Sequence, residues 1–326
     1  MENLDRIYDG AMAVLGKGFG VESRLWPLYL LLMVVIAAVL FLRRRPGGSF
    51  WAWLFPKSVY LHASHIVDIK VFLVSRLLSA AGFFQVVFLG SWVATKIAAV
   101  LGGPTETPSS LNPLITGLLL LVVNDFGVYW VHRVHHETRT LWPFHSLHHS
   151  AEVMTPITVF RKHPVYDLIS SFVRGLFIGT LQGMLLGLVV GEVAFVTVAG
   201  LNAGYFLFNM LGANLRHTHI WLSYGPVWER ILISPAQHQI HHSLEPRHFN
   251  KNYGEVLAIW DWMFGTLYVP KGEEKLQFGL ADAEGRRLAQ RHDTLTNAMV
   301  VPILDSWKQL RRMLPSPARR DRTPGE

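Results

Sequence analysis

Residues 132–149 read His-Arg-Val-His-His-Glu-Thr-Arg-Thr-Leu-Trp-Pro-Phe-His-Ser-Leu-His-His, six imidazoles in eighteen positions. On a helix His132 and His136 share one face, and His145, His148 and His149, spaced i, i+3 and i+4, share another. The same triplet returns at His238, His241 and His242. Imidazole is the commonest protein ligand for first-row transition metals, and these are ligand spacings. A lone histidine beside an apolar helix is more often a satisfied core residue. Here all sixteen histidines except His62, His65 and His292 lie between positions 132 and 248. Without a metal, so many close imidazoles would repel when protonated and lack partners when buried.

His132, His136, His145, His148, His149, His238, His241 and His242 are too many for one ion that keeps an open position, and two ions is the natural division. The chain has no cysteine, which excludes thiolate-held zinc, cysteine-held iron–sulfur clusters and disulfides. His136-Glu137 does not continue to a second histidine at the offset of a zinc-protease helix. Iron is redox active where zinc is not, so two adjacent non-haem irons point to oxygen activation with two electrons drawn from outside and hydrogen taken from a lipid C–H bond.

The elements that position these residues belong to a membrane. Half of the 326 residues are hydrophobic and 16% are charged, a departure from soluble composition. The formal charge of +7 lies beside apolar runs and in the tail, which favours anionic lipid headgroups over nucleic acid. Residues 25–42 are uncharged, near the length needed to cross a bilayer, and Arg43, Arg44 and Arg45 put their far end in the cytoplasm. Gly16-Lys-Gly-Phe-Gly20 lacks a nucleotide loop's spacing and is expected as a turn; Pro46-Gly-Gly reads as a breaker. Residues 51–70 mix aromatic and basic side chains and suit the interface, with His62 and His65 as surface or structural residues. Further crossings are expected at 77–95, from 114 into 130, and as a hairpin at 175–191 and 193–215, with a Gly/Pro/Ser-rich loop at 102–113. The hairpin returns residues 216–242 to the face that holds 132–149. Asp125, Tyr129, His132 and His136 fall on one stripe, making Asp125 either a partner for a ligand imidazole or a marker of the membrane edge. Residues 295–314 form an amphipathic basic segment that Pro302 should interrupt, and the tail from Pro315 is expected to be disordered.

The ordered motifs Asp125-Phe-Gly-Val-Tyr-Trp-Val-His-Arg-Val-His-His136, His145-Ser-Leu-His-His149, Arg161-Lys-His-Pro164, Ser234-Pro-Ala-Gln-His-Gln-Ile-His-His242, Asn252-Tyr-Gly and Trp260-Asp-Trp-Met-Phe-Gly-Thr266 resemble the fatty acid hydroxylase/sterol desaturase superfamily over residues 114–270. The resemblance implies an all-α, polytopic membrane helical bundle of about four to five inserted segments, capped on the cytoplasmic side by helices carrying a histidine-rich dimetal site. It divides the chain into N-terminal membrane segments (1–113), the di-iron domain (114–270) and a basic cytoplasmic tail (271–326). It implies two iron ions held by His132, His136, His145, His148, His149, His217, His238, His241 and His242, with His163 and His219 as further members. His135 and His248 stand either behind the ligands or on polar surface. Where many relatives have His-x-Asn this chain has His217-Thr-His219, and where many have a glutamate two residues after the His-Pro proline it has Tyr166 followed by Asp167.

The implied activity is an O2-dependent hydroxylase or desaturase (a non-haem di-iron oxidoreductase of monooxygenase type) acting on a sterol or fatty acyl lipid. The alternative within the family is hydroxylation of a polar headgroup, of aminolipid or alkylglycerol type. Outside it stand a metal transporter and a zinc hydrolase. No nicotinamide, flavin or haem motif is present, so electrons come from a separate ferredoxin, cytochrome b5 or reductase, for which Arg133, Arg139, Arg161 and Lys162 could form a basic docking surface. The expected location is a multi-pass protein of a bacterial inner membrane or the endoplasmic reticulum.

Overall fold

The computed structural model describes residues 12, 16, 19–20, 23–83, 88–101, 112–190 and 208–314. Within them all regular structure is helical, and the extended pairings are the isolated bridges Leu232 with Leu257, Ser243 with Phe278 and Ala281 with Arg287.

Helix α1 (Pro27–Arg44) starts on a proline that needs no hydrogen bond at its first turn and ends in Arg43 and Arg44. It buries Met33 and Ala37 against Leu215 and Ile220. Two short helices, α2 (Phe50–Leu54) and α3 (Lys57–Tyr60), lead to α4 (Ala63–Ala80), whose first turn is capped by the His62 ring accepting from the Ser64 amide. Next come α5 (Phe88–Val100) and α6 (Pro113–Glu137), the latter capped by Asn112. Helix α7 is Trp142–His149, and α8 (Pro164–Leu185) is extended by a π turn at Leu186–Val190. Helix α9 (Pro235–His241) opens on a reciprocal capping pair, Ser234 with Gln237. Helices α10 (Ile259–Met263) and α11 (Leu295–Met313) complete the set.

Among the described residues three helices are long and apolar enough to cross a membrane: Pro27–Arg44, Leu114–Glu137 and Pro164–Leu188. The shorter apolar α5 lies along α8, and small residues allow it. Gly175, Gly179, Gly183 and Gly187 recur every fourth position, and a Cβ on Gly179 would stand 2.6 Å from the Gly90 carbonyl oxygen, as one on Gly183 would from that of Ala94. Backbones meet there without side chains between them, the small-residue contact of membrane helices.

Several expected boundaries move. The crossing at 77–95 is divided, because α4 stops at Ala80, Gly82 adopts φ 82° and a new helix begins at Phe88. The crossing expected from 175 begins at Pro164, taking Asp167 and Arg174 into the helix. Pro302 does not interrupt α11; it is buried with Ala298, and the packing of that face against α4 and α7 carries the helix through the missing hydrogen bond. Residues 271–294 fold back over the histidines: Leu244 N–H donates to the Gln277 carbonyl, and Gln290 donates to that of Ser150. Most of the 102–113 loop, most of the 193–215 crossing, part of the 16–20 turn and the tail from Pro315 lie outside the described residues.

Candidate metal centre

The histidines converge into two adjoining groups. His132, His136, His145, His149 and His241 form one and His148, His217, His238 and His242 the other, with a ring nitrogen of each residue within 4.8 Å of the others in its group. Four elements supply them: the end of α6, α7, the 3-10 turn Ala213–His217, and α9 with its cap. Each H-x-x-H-H triplet splits the same way. His145 and His149 enter the first group and His148 the second; His238 and His242 enter the second and His241 the first. Positions i and i+4 lie near one another around a helix, while i+3 sits about 100° from i+4, so one short helix addresses two centres. The groups touch where the His149 and His242 rings stack, 4.3 Å between centroids.

The chemistry of these nitrogens suits a cation. His132 Nδ1 lies 2.8 Å from the Tyr253 carbonyl oxygen and His241 Nδ1 2.7 Å from that of Lys251. A carbonyl only accepts, so both Nδ1 atoms carry the proton and, in the neutral rings, both Nε2 atoms present lone pairs. Those lone pairs face each other at 3.1 Å. His132 and His145, His149 and His145, His217 and His148, and His238 and His217 likewise bring Nε2 atoms to 3.0–3.2 Å. An ion about 2.1 Å from each nitrogen sets neighbouring ligands at right angles about 3.0 Å apart. Burial, reinforced by neighbouring imidazoles, holds His145, His148, His149, His217, His238 and His242 well below the ordinary histidine pKa, and burial lowers His241 to about 4. Neutral, converging and short of proton donors, these residues fit a pair of transition-metal ions.

Two further expected members stand elsewhere. His163 caps α8, its Nδ1 accepting from the Val165 amide and its Nε2 donating to the Met299 carbonyl, so neither nitrogen is open. His219 donates to the Trp53 carbonyl and packs edge-on against that indole. His135 turns away to its own helix, donating to the Val131 carbonyl, with its ring against Tyr166. His248 is fully buried beside Glu274.

Asp125 touches no imidazole. Its carboxylate accepts from the Val256 and Leu257 amides and from Trp260 Nε1, each at 3.0 Å. It anchors the loop whose Tyr253 carbonyl orients His132, and acts one step further out than expected. Asp261 holds the same loop through the Tyr253 and Gly254 amides, and burial pushes its carboxyl up to about 6. Gln239 donates to the Leu215, Thr218 and Ile220 carbonyls and so fixes the turn carrying His217. Sequence reading missed these supports because most of their partners are backbone atoms, which carry no residue signature. The basic docking surface also changes: Arg161 is fully buried in an ion pair with Asp68, Lys162 faces an internal cavity, and Arg133 pairs with Glu137.

Two openings reach the centre. A cavity of about 130 Å³ lies between α6 and α8 and meets His132, His145, His148, His217 and His238. A second, of about 220 Å³, meets His136, His149, His241 and His242 from the side of the 243–281 segment.

Residues 117–266 match the family model described as Fatty acid hydroxylase. The chain is 35% identical over 156 residues to an alkylglycerol monooxygenase of Xenopus tropicalis, a match covering 48% of this chain and 31% of that protein. It is 32% identical over 163 residues to ornithine lipid hydroxylase OlsE of Rhizobium tropici, covering 50% and 45%. With Delta(7)-sterol 5(6)-desaturase erg3C of Aspergillus fumigatus it shares 26% over 166 residues, covering 48% and 50%. The chain thus spans 31% to 50% of the length of these relatives. No solved structure matches it. Motifs, converging imidazoles and relatives coincide on one stretch, and over residues 117–266 the chain is similar to the fatty acid hydroxylase family.

Proposed function

We propose that this chain is a multi-pass membrane oxygenase that uses O2 to hydroxylate or desaturate a lipid, with two iron ions held by His132, His136, His145, His149 and His241 and by His148, His217, His238 and His242. The single observation that carries the reading is the facing of proton-free nitrogens on His132 and His241, each fixed by a backbone carbonyl behind it. When bound, the irons supply the redox chemistry that activates oxygen for removal of a C–H hydrogen. The chain's own part is placement. Carbonyls fix the imidazole tautomers, Asp125 and Asp261 lock the loop that bears the Tyr253 carbonyl, and Tyr166 packs flat on His145 at the mouth of the α6–α8 cavity.

The membrane supports this reading from the other side. Helices α6 and α8 carry histidines and cavity walls directly out of apolar spans, so a lipid reaches the centre without leaving the bilayer. The domain reading stays at 114–270 between N-terminal membrane segments and a C-terminal region from 271. Arginines at 43–45 and the basic segments around the centre support a cytoplasmic location for it. Electrons enter from a separate donor, and a cavity distinct from the α6–α8 one meets His136 and His149.

Iron-loaded protein in lipid nanodiscs, supplied with a chemical or protein reductant, tests the proposal. It should hold about two irons per chain, consume O2 only when a lipid substrate is present, and yield a product heavier by one oxygen or lighter by two hydrogens in lipid mass spectrometry. Bound iron with no oxygen uptake over a lipid panel would overturn it, as would metal transport or zinc-dependent hydrolysis in its place.

A further inference from the structure

The cavity between α6 and α8 is too highly charged for an aliphatic chain or a sterol ring. Lys162, Arg174, Arg24 and Arg216 line it together with Asp167 and Glu255, four cations against two acids. Arg24 pairs with Glu255, and Arg216 donates to the Ala213 and Glu255 carbonyls. Lys162, Arg174 and Asp167 feel one another across the cavity without forming an ion pair within 4.0 Å, and the cations remain in excess. Among the described residues Lys162 Nζ makes no hydrogen bond or ion pair and sits over the Tyr166 ring, 5.7 Å from its centroid. Arg174 spends Nε on the Ser170 carbonyl of its own helix and has no described carboxylate within 4.0 Å. The Asp167 carboxylate accepts no hydrogen bond from a described side chain or amide.

Position sharpens the point. Lys162 stands two residues before α8, and Arg174 lies ten residues into it, about 15 Å along the axis of a helix that reads as a membrane span. A cation at that depth is costly unless it faces a polar interior and meets a partner there. Tyr166, which carries Lys162 on its ring, stacks on His145. The excess positive charge thus lines the same cavity as histidines of both groups.

We propose that Lys162 and Arg174 bind the anionic oxygen group of a polar lipid headgroup, and that the substrate is a lipid bearing a phosphate or carboxylate near the oxidised carbon. Asp167 then accepts from a hydroxyl or amine of the same headgroup. Apolar chains extend between α6 and α8 toward the bilayer, past the exposed Phe172 and Leu176. The inference rests on the oxygenase reading for its chemistry, but the binding preference is measurable without turnover.

The experiment is equilibrium binding to the iron-loaded full chain, held anaerobically without reductant. Four ligands are compared: dioctanoyl phosphatidic acid, an N-acyl amino acid, dioctanoylglycerol and inorganic phosphate. At least one of the two anionic lipids should bind about tenfold or more tightly than dioctanoylglycerol, the range of a charge-assisted contact. Lys162→Gln and Arg174→Gln should each erase that preference while leaving the diacylglycerol affinity unchanged, and Lys162→Arg should keep it. Preference for the phosphate arm identifies a phospholipid-type headgroup, and preference for the carboxylate arm an amino-acid lipid. Equal affinity for charged and neutral lipids in the wild-type protein overturns the inference whether or not any variant folds, as does inorganic phosphate binding as tightly as the lipids. Oxygen uptake separates the two levels. Uptake driven equally by dioctanoylglycerol sinks this inference alone, whereas a charge preference with no uptake on any lipid sinks the oxygenase reading.

Discussion

At the scale of single residues, what distinguishes a ligand histidine from its neighbours is what lies behind the ring. His132 and His241 have a carbonyl at Nδ1 and nothing but other nitrogens at Nε2, whereas His163 has both nitrogens engaged by backbone. His241→Ala should therefore lower bound iron several-fold, while His163→Ala should leave the iron content unchanged and cost about 1 kcal/mol of stability through the lost helix cap. Plasma emission spectrometry with thermal unfolding reads both; equal iron loss in the two variants would contradict the assignment. The sequence showed which residue types cluster and at what spacing, since a triplet at i, i+3 and i+4 is visible in one dimension. It did not separate His163 and His219 from the two converging groups, because an adjacent His-Pro or His-x-His reads alike whether the ring faces other imidazoles or a carbonyl. Asp125 shows the same limit: its burial was foreseeable, and its partners are amides 131 and 132 positions away.

Elements set the distances that residues cannot. The four-residue glycine register on α8 lets α5 approach to backbone contact, and a methyl at Gly179 would strike the Gly90 carbonyl. Gly179→Ala should destabilise the protein by about 1–3 kcal/mol, against little change for Gly272→Ala, where no atom lies within 4 Å of the added carbon. Melting in a single detergent compares them, and equal melting points would remove the close contact. A second element, the segment leading into α11, lays His292 over Arg161, which donates to the His292 carbonyl. Burial, with Arg161 and Arg291 nearby and Asp305 opposing them, lowers this imidazole to about 4. The unfolded chain then binds the extra proton between pH 6.5 and 4, so stability contributed here is complete above pH 6.5 and is lost as pH falls, by about 3 kcal/mol at pH 4. His292→Phe should flatten that part of the acid limb, and an unchanged slope would reject the assignment. Helix boundaries were the least legible feature. Hydropathy averages placed a crossing at 77–95, where a turn centred on Gly82 divides two helices, and began α8 too late because Asp167 and Arg174 look like membrane-edge charges until the cavity that receives them is seen.

For the whole molecule the decisive arrangement is that helix ends and turns bring their imidazoles together at the end of α6, a helix long and apolar enough to cross a membrane. Absence of cysteine makes every introduced thiol unique. Arg45→Cys, Arg139→Cys and Arg230→Cys should react with a membrane-impermeant maleimide from the same side of oriented vesicles, and Asn112→Cys from the opposite side. Labelling of Asn112→Cys together with the other three would refute the topology. Helical class and the clustering of histidines were legible because apolar run length and histidine spacing are local properties. The folding of residues 271–294 across the centre was not, since it depends on contacts such as Leu244 with Gln277 that no local pattern announces.

Each histidine triplet contributes to both groups, and on the proposed two-ion reading this division couples the two positions. Fixing His145 and His149 around one ion also sets the rotation of α7 that presents His148 to the other, and α9 repeats the coupling in reverse with His238, His241 and His242. Occupancy of either position should therefore raise affinity at its neighbour, so that titration yields a sigmoidal curve with scarcely any singly loaded species, and damage confined to one half empties both.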